Sequence, residues 1–103
     1  MNIMLIMNIN ELRKYKNEIM DLANAYRIEP DSIRVFGSVA RGEEGENSDI
    51  DFLIRTKPNC GLLKIGGFYV GLEDMLGCKV DIVNEKNISP YFRDSILSAA
   101  VPL

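Results

Sequence analysis

Two short segments of this 103-residue chain decide its fold: Gly37-Ser38-Val39-Ala40-Arg41-Gly42 and Ser48-Asp49-Ile50-Asp51. The run Ile33-Arg34-Val35-Phe36 precedes the first segment and predicts a short strand that Gly37 ends. The second segment begins a run in which apolar residues alternate with others, which predicts another strand. That alternation places Asp49 and Asp51 on one face of the strand and Ile50 on the other.

The rest of the chain alternates between helical and strand patterns around these two segments. In the longer of the later helices, the apolar residues at helical spacing are Leu62, Ile65, Tyr69, Leu72 and Leu76. The predicted elements are a helix over 9–27, a strand over 33–36, a tight turn or helical turn over 38–42, a loop over 43–48, a strand over 49–55, a helix over 62–76, a strand over 79–83, and a last helix capped by Ser89 with Pro90 at its first position. This order predicts one small α/β domain, with helices packed on a sheet.

The composition is that of one ordinary globular domain, with 47% apolar and 26% charged residues. The net charge of −3 argues against a general binder of nucleic-acid backbones, which is normally basic, so we expect no direct binding to nucleic acid. The chain contains no histidine. Nucleophiles activated by histidine and zinc sites that use histidine ligands are therefore excluded.

The sequence also predicts a compartment and a domain boundary. Residues 1–7 are apolar, but they are too short to cross a membrane and lack the features of a signal peptide. Cys60 and Cys78 do not form a C-x-x-C pair and are typical of free thiols in a reducing compartment. We therefore expect a soluble cytoplasmic protein with an N-terminal extension at 1–8 and its domain at 9–103.

Two familiar motifs can be rejected for the deciding segments. Gly37 and Gly42 have the spacing of a P-loop, but Glu43 stands where that loop needs Lys to meet phosphate. The run 47–51 begins like an EF-hand loop, but Phe52 occupies the position where the sharp turn of that loop needs Gly.

The paired aspartates instead indicate a metal site. Like charges on the same face of a strand are costly unless a cation lies between them, and oxygen ligands favour Mg²⁺ or Mn²⁺. Asp81 lies on the third predicted strand and joins Asp49 and Asp51 if the second and third strands are neighbours. Three carboxylates can hold two metal ions about 4 Å apart for in-line displacement at phosphorus. Asp81 is then the candidate that accepts the proton of the attacking hydroxyl.

The turn at Gly37 and Ser38 supplies groups that suit a phosphate. Gly37 lets the backbone approach a phosphate closely, and the Ser38 hydroxyl and nearby N–H groups can donate hydrogen bonds to it. Arg41 could add positive charge against a triphosphate. Simpler interpretations are that Ser38 only caps a helix and that Arg41 only pairs with the glutamates that follow it.

Gly37-Ser38, ten further residues and then Asp49-Ile50-Asp51 resemble the signature of the DNA polymerase β-like nucleotidyltransferase superfamily. The longer run from Phe36 is similar to its minimal nucleotidyltransferase (MNT) branch, and the similarity continues through 79–83 and 89–103. It therefore covers residues 9–103. The resemblance implies a small α+β nucleotidyltransferase domain in which a mixed sheet carries the carboxylates.

The resemblance also implies an activity. It implies transfer of a nucleoside monophosphate, AMP from ATP, with Mg²⁺ or Mn²⁺ as cofactor, and contact of Ser38 with the triphosphate. Together with the reasoning on the turn, this gives Gly37, Ser38 and Arg41 as the candidate nucleotide-binding residues. Asp49 and Asp51 would bind metal, and Asp81 would complete the catalytic and metal-binding set. MNT proteins typically act as antitoxins of HEPN ribonuclease toxins, and some adenylylate a tyrosine of the toxin. A complex with a HEPN-type toxin protein is therefore expected.

Two other functions remain open from the sequence. The chain could neutralise its partner by direct binding without catalysis, because so short a domain has no separate part to grip an acceptor. Transfer to a small molecule is the third possibility, although such enzymes usually carry an added substrate-binding domain.

Gly66, Gly67 and Gly71 depart from the family, in which stronger helix formers usually fill these positions.

Overall fold

In the computed structural model, which describes residues 7–45 and 49–103, four strands form one mixed sheet. The strands are β1 (Arg34–Phe36), β2 (Ile50–Ile54), β3 (Val80–Asn84) and β4 (Val101–Pro102), in the spatial order β3-β2-β1-β4. β2 runs parallel to β3 and antiparallel to β1, which is itself antiparallel to β4. The predicted single small domain, with helices packed on a mixed sheet, is confirmed.

Five α-helices lie among the described residues: α1 (Ile9–Arg13), α2 (Lys16–Ala25), α3 (Gly37–Arg41), α4 (Leu62–Leu76) and α5 (Pro90–Ala99). Short 3₁₀ turns occur at Pro30–Ser32 and Glu85–Asn87. None of these helices is long and apolar enough to cross a membrane. Most of the extension predicted at 1–8, and the part of the predicted loop at 46–48, lie outside the described residues.

The N-terminal helix predicted over 9–27 is two helices, so that prediction is wrong in one respect. At the junction the N–H of Tyr15 donates to the carbonyl of Leu12 at 3.0 Å, three residues back instead of four. This tighter bonding interrupts the α-helical ladder while keeping the chain in one direction. Asn8 caps α1, because its side chain accepts a hydrogen bond from the N–H of Glu11 at 2.8 Å.

The main core lies on one face of the sheet, beneath α2 and α4. Ile50, Phe52 and Ile54 of β2 point to this face, and all three are buried. Because side chains alternate along a strand, Asp51 and Leu53 lie on the opposite face. The sheet therefore has a core face and an opposite face, and the carboxylate of Asp51 lies on the opposite face.

The buried side of α4 differs from the predicted stripe. Leu62 is 87% exposed and Tyr69 is 38% exposed, whereas Phe68, Leu72 and Leu76 are buried. The physical reason is close packing of two glycines against α2. A Cβ atom at Gly67 would overlap the ring of Tyr26, and one at Gly71 would lie 2.9 Å from methyl carbons of Leu22. The glycines set which side of α4 meets the core, a role that the sequence did not indicate.

The C-terminal part of the chain contains a predicted helix and an unpredicted strand. Ser89 caps α5 by accepting a hydrogen bond from the N–H of Tyr91 at 3.4 Å, and Pro90 stands in its first turn, as predicted. After α5, Val101 pairs with Val35 to form β4 at the edge of the sheet. A two-residue strand that contains a proline has no periodic pattern, so the sequence did not predict it.

Candidate active site

Asp51 and Asp81 are directly paired neighbours on the parallel strands β2 and β3. Paired residues share a face of the sheet, so both carboxylates point to the face opposite the core. Asp49 precedes β2 by one residue and is half-buried. The condition set by the sequence, that the second and third strands be neighbours, is therefore met.

The turn at Gly37 packs directly against the carboxylate of Asp51. Phe36, the last residue of β1, is the pairing partner of Asp51, so α3 begins beside this carboxylate. Gly37 has a φ of +74°, and a Cβ atom there would overlap Oδ2 of Asp51. Only glycine satisfies both the backbone conformation and the close approach. The two segments that decide the fold thus meet at one point.

Charges of both signs act on the carboxylate of Asp51. Burial raises the pKa of Asp51 most, followed by the negative charges of Asp81 and Asp49 and by a hydrogen bond to Asp81. The charge of Arg41 acts in the opposite direction and lowers that pKa. The site therefore concentrates negative charge that a bound cation would neutralise.

The donor set suits a hard divalent cation. Carboxylate oxygens are the ligands that Mg²⁺ and Mn²⁺ prefer, and the forced approach of two carboxylates is favourable only with positive charge between them. Among residues 7–45 and 49–103, no group of three acidic, thiol or imidazole side chains stands in metal-binding arrangement. The residues that meet, Asp51 and Asp81 with Asp49 beside them, fit a cation by chemistry and charge.

Ser38 and Arg41 lie on α3, the helical turn that starts at Gly37. Ser38 is partly buried in its first turn, next to the residue that touches Asp51. Arg41 is exposed, and its Nε donates to Oε2 of Glu43 at 2.9 Å. Arg41 thus makes the local ion pair that the simpler interpretation expected, and its charge also acts on Asp51.

Sequence reasoning missed two residues of α4 near the carboxylates, Glu73 and Tyr69. The N–H of Val80 donates to Oε2 of Glu73 at 3.3 Å, which joins α4 to the first residue of β3. The charge of Glu73 is the largest cause that raises the pKa of Tyr69, four residues earlier on the same helix. The i, i+4 spacing of Tyr69 and Glu73 could have shown that they share a helix face. The predicted stripe assigned Tyr69 to the core or to an interface instead.

An ion cluster occupies the other end of the same sheet face. Glu85 is buried, and its carboxylate binds the guanidinium groups of Arg34, Arg55 and Arg93. The Arg34 hydrogen bond is the largest cause that lowers the pKa of Glu85. Arg34 and Arg55 lie 51 and 30 positions from Glu85 in the sequence, so no local motif predicts the cluster. Because Arg93 belongs to α5, the cluster anchors that helix to the sheet.

Comparison with known proteins identifies the family of this chain. The family model described as Nucleotidyltransferase domain matches residues 10–103. A Methanocaldococcus jannaschii protein with a proposed protein adenylyltransferase activity is 38% identical over 95 residues, which span 92% of this chain and 97% of that protein.

Two solved structures share the fold. The structure of a proposed minimal nucleotidyltransferase has a TM-score of 0.83 and 37% identity, and the match covers 94% of this chain and 97% of that one. A chain from the complex of a tri-AMPylated Shewanella oneidensis HEPN toxin with an MNT antitoxin has a TM-score of 0.63 and 17% identity, with 87% and 69% coverage. The second match shows the fold alone. The family model matches most of the chain, and the Methanocaldococcus jannaschii relative and the first solved structure share 38% and 37% of its sequence. We therefore conclude that this chain belongs to the nucleotidyltransferase domain family and is an enzyme of the minimal nucleotidyltransferase type.

Proposed function

We propose that this protein transfers AMP from ATP to a partner protein, with Mg²⁺ as cofactor, and that it acts as the antitoxin of a HEPN-type toxin. The observation that carries the proposal is the meeting of Asp51 and Asp81 on paired strands, with the Gly37 turn packed on Asp51. A site of this kind has carboxylates for cations on one side and a phosphate-binding turn on the other.

Each part of the site has a distinct task in this proposal. The backbone at Gly37 and the hydroxyl of Ser38 bind the triphosphate, and Arg41 adds positive charge at its exposed end. Asp49, Asp51 and Asp81 hold Mg²⁺, which when bound neutralises the phosphate oxygens and activates the α-phosphorus. Asp81 accepts the proton of the attacking hydroxyl, because it is the carboxylate on the outer strand β3.

The similarity to relatives supports the choice of nucleotide and partner. The Methanocaldococcus jannaschii relative is assigned adenylyl transfer to protein, and the chain covers almost all of it. The Shewanella oneidensis complex joins an MNT antitoxin of the same fold to a HEPN toxin that carries AMP. Cys60 and Cys78 are free thiols, which agrees with a place in the reducing cytoplasm, where ATP and Mg²⁺ are abundant.

The proposal is tested with the chain and a HEPN-type protein from the same cells, if one is captured by co-purification. Incubation with Mg²⁺ and ATP labelled at the α-phosphate should transfer label to the partner. The double variant Asp49→Asn plus Asp51→Asn should fold, as circular dichroism would show, and transfer no label. Undiminished transfer by the double variant would show that these aspartates are not the site.

A second candidate is neutralisation of the partner by binding alone. It is favoured by large apolar side chains left in solvent on two helices: Leu62 and Leu63 of α4 are 87% and 92% exposed, and Tyr91 of α5 is 86% exposed. Such groups often contact a protein partner. Calorimetry with ATP and Mg²⁺ separates the two candidates, since binding without catalysis requires no uptake of nucleotide.

A further inference from the structure

One end of the sheet is strongly basic, although the whole chain has a net charge of −3. The segment 55–58 follows β2 at the end of that strand away from Asp51. Six cations lie in this segment or contact it or Glu85, and we call them the basic end: Arg27, Arg34, Arg55, Lys57, Lys86 and Arg93. Two carboxylates, Glu29 and Glu85, form ion pairs with members of this group. These eight residues together carry a net charge of +4.

Hydrogen bonds hold the exposed cations in place without neutralising them. Arg27 donates from its Nε and from a terminal nitrogen to the carbonyl of Pro58, at 3.0 and 2.8 Å. The ammonium group of Lys86 donates to the carbonyl of Thr56 at 2.8 Å. A carbonyl group carries no net charge, so both cations keep their full positive charge. Because Arg27 and Lys86 are exposed, this charge faces the solvent.

Large apolar side chains are exposed next to the basic end. Four residues lead from Pro58 to the start of α4, where Leu62 and Leu63 are 87% and 92% exposed. Arg93 joins the first turns of α5 to Glu85, and Tyr91 in those turns is 86% exposed. Exposed apolar groups bordered by arginine side chains are typical of surfaces that bind another protein.

The apolar groups favour a protein over a nucleic acid as the occupant of this surface. Cations alone would suit the phosphates of a nucleic acid as well as the carboxylates of a protein. Aliphatic side chains such as Leu62 and Leu63 lack the ring faces on which bases stack, whereas they can bury apolar area against a protein. The positive charge then requires acidic groups on that protein.

We propose that the basic end, together with Leu62 and Leu63, is the docking surface for the partner protein, and that the matching surface of the partner is acidic with apolar groups. This inference rests on the proposed HEPN-type partner and adds the place where it docks. Arg55 lies four residues after Asp51, which is about 13 Å along the extended chain. A partner docked at the basic end therefore leaves the carboxylates open to ATP, and its acceptor side chain must reach across this distance.

The test measures how tightly a purified HEPN-type protein from the same cells binds the full chain, at about 50 and about 500 mM NaCl. One variant, Lys57→Glu plus Lys86→Glu, reverses charge at the basic end. A second variant, Leu62→Ser plus Leu63→Ser, removes apolar groups that are almost fully exposed, so it should fold even if the first does not. Circular dichroism verifies the fold of each variant.

The control variant is Lys14→Glu plus Lys16→Glu. It changes the net charge by the same amount as the first variant, but both lysines lie at the opposite end of α2 from Arg27. A single-stranded RNA of mixed sequence and about 20 nucleotides is the second probe for all chains. Label transfer from α-labelled ATP to the partner is measured in parallel, at low and at saturating partner concentration.

The lysine variant at the basic end and the leucine variant should each bind the partner at least about tenfold more weakly than the natural chain, and the control should bind normally. The loss in the lysine variant should shrink at high salt, whereas the loss in the leucine variant should persist. Both variants should need more partner for half-maximal label transfer, with an unchanged rate at saturation, because the candidate site is intact.

Three results would decide against one or both proposals. Equal binding of the partner by all chains would overturn the docking surface, and label transfer would leave the proposed function standing. Tighter binding of the RNA than of the partner, lost in the lysine variant and kept in the leucine variant, would also overturn it and assign the surface to nucleic acid. If the natural chain neither binds nor labels the HEPN-type protein, both proposals fail, whereas the expected binding pattern without any label transfer would overturn the proposed transfer alone.

Discussion

Gly37 and Asp51 are in such close contact that the backbone of one leaves no room for a side chain beside the carboxylate of the other. A Cβ atom on Gly37 would overlap Oδ2 of Asp51, and the residue has a φ of +74°. The turn at Gly37 and the carboxylates are therefore not separate motifs that happen to adjoin. They form one packed unit, in which the position of the turn also fixes the position of Asp51.

The first prediction is that Gly37→Ala impairs both stability and activity. An alanine at positive φ costs about 1–2 kcal/mol, and here its methyl group must also displace the carboxylate of Asp51. A displacement of about 1 Å in a catalytic group can lower the rate about 100-fold. Chemical unfolding would measure the first effect, and label transfer to the partner would measure the second.

Gly42→Ala is the matched control for this substitution. Gly42 has nearly the same φ, +72°, but a Cβ atom there would meet nothing within 4 Å. The control should show the same loss of stability from backbone strain with little loss of transfer. Equal losses of transfer in the two variants would mean that contact with Asp51 has no catalytic importance.

The second prediction concerns the balance of charge at Asp51. Its folded-state pKa is raised above the usual 3.8, so the carboxylate binds its proton more tightly in the fold than in the unfolded chain. The stability from this group is therefore full below pH 3.8 and is lost as the pH rises through the folded pKa. In chelator at pH 7, Asp51→Asn should be more stable than the natural protein by about 0.5–1 kcal/mol, and the difference should vanish in acid.

Addition of Mg²⁺ should reverse this order. A cation that binds the folded state alone raises the unfolding temperature of the natural protein, whereas Asp51→Asn removes a proposed ligand and should gain less. Thermal unfolding with and without Mg²⁺ measures both effects without any enzymatic assay. An Mg²⁺ response as large in the variant as in the natural protein would exclude Asp51 as a ligand.

Sequence reasoning could single out this candidate site because its signature is local. Gly37, Ser38, Asp49 and Asp51 lie within fifteen residues, and the chemistry of a turn followed by paired carboxylates restricts what they can do. Asp81 required one further step, the adjacency of two strands, and a helix between parallel strands makes such adjacency common. The alternation of β2 and β3 then predicted that Asp81 shares a face with Asp51, as it does in the structure.

The features that the sequence did not predict depend on contacts between residues that are distant in the sequence. Gly67 and Gly71 are weak helix formers by propensity, and only their packing against Tyr26 and Leu22 shows that they determine the buried side of α4. The hydrogen bond from Arg34 to Glu85 spans 51 positions of the chain. Hydrophobic periodicity contains no information on such pairs, because it reports the exposure of a residue and not its partner.

The third prediction follows from the packing of α4 on α2. Gly67→Ala should lower the free energy of unfolding by about 1–2 kcal/mol, because overpacking against the ring of Tyr26 outweighs the gain in helix propensity. Gly66→Ala is the control on the same helix, since a Cβ atom there meets nothing within 4 Å. It should raise stability by about 0.5–1 kcal/mol. Denaturant unfolding of both variants measures this difference of sign, and stabilisation by both would contradict the close packing.

The fourth prediction concerns the ion cluster that anchors α5. The pKa of Glu85 is lowered from its usual 4.5, chiefly by the hydrogen bond from Arg34. A lowered folded-state pKa means that the stability from this carboxylate is full above pH 4.5 and is lost as the pH falls through the folded pKa. Glu85→Gln should therefore cost about 1–2 kcal/mol at pH 7, a value limited by the partial exposure of Arg55 and Arg93 to solvent.

The pH dependence distinguishes this ion cluster from simple packing. The stability difference between the natural protein and Glu85→Gln should shrink as the pH falls below 4.5 through the lowered folded-state pKa of Glu85, because the carboxylate takes up its proton and loses its charge in that range. Glu11→Gln is the control, since Glu11 pairs with Lys14 in an exposed ion pair that should contribute little at any pH. Unfolding by denaturant across this pH range is the measurement. A difference for Glu85→Gln that stays constant with pH would show that the shape of the side chain, and not its charge, holds α5 on the sheet.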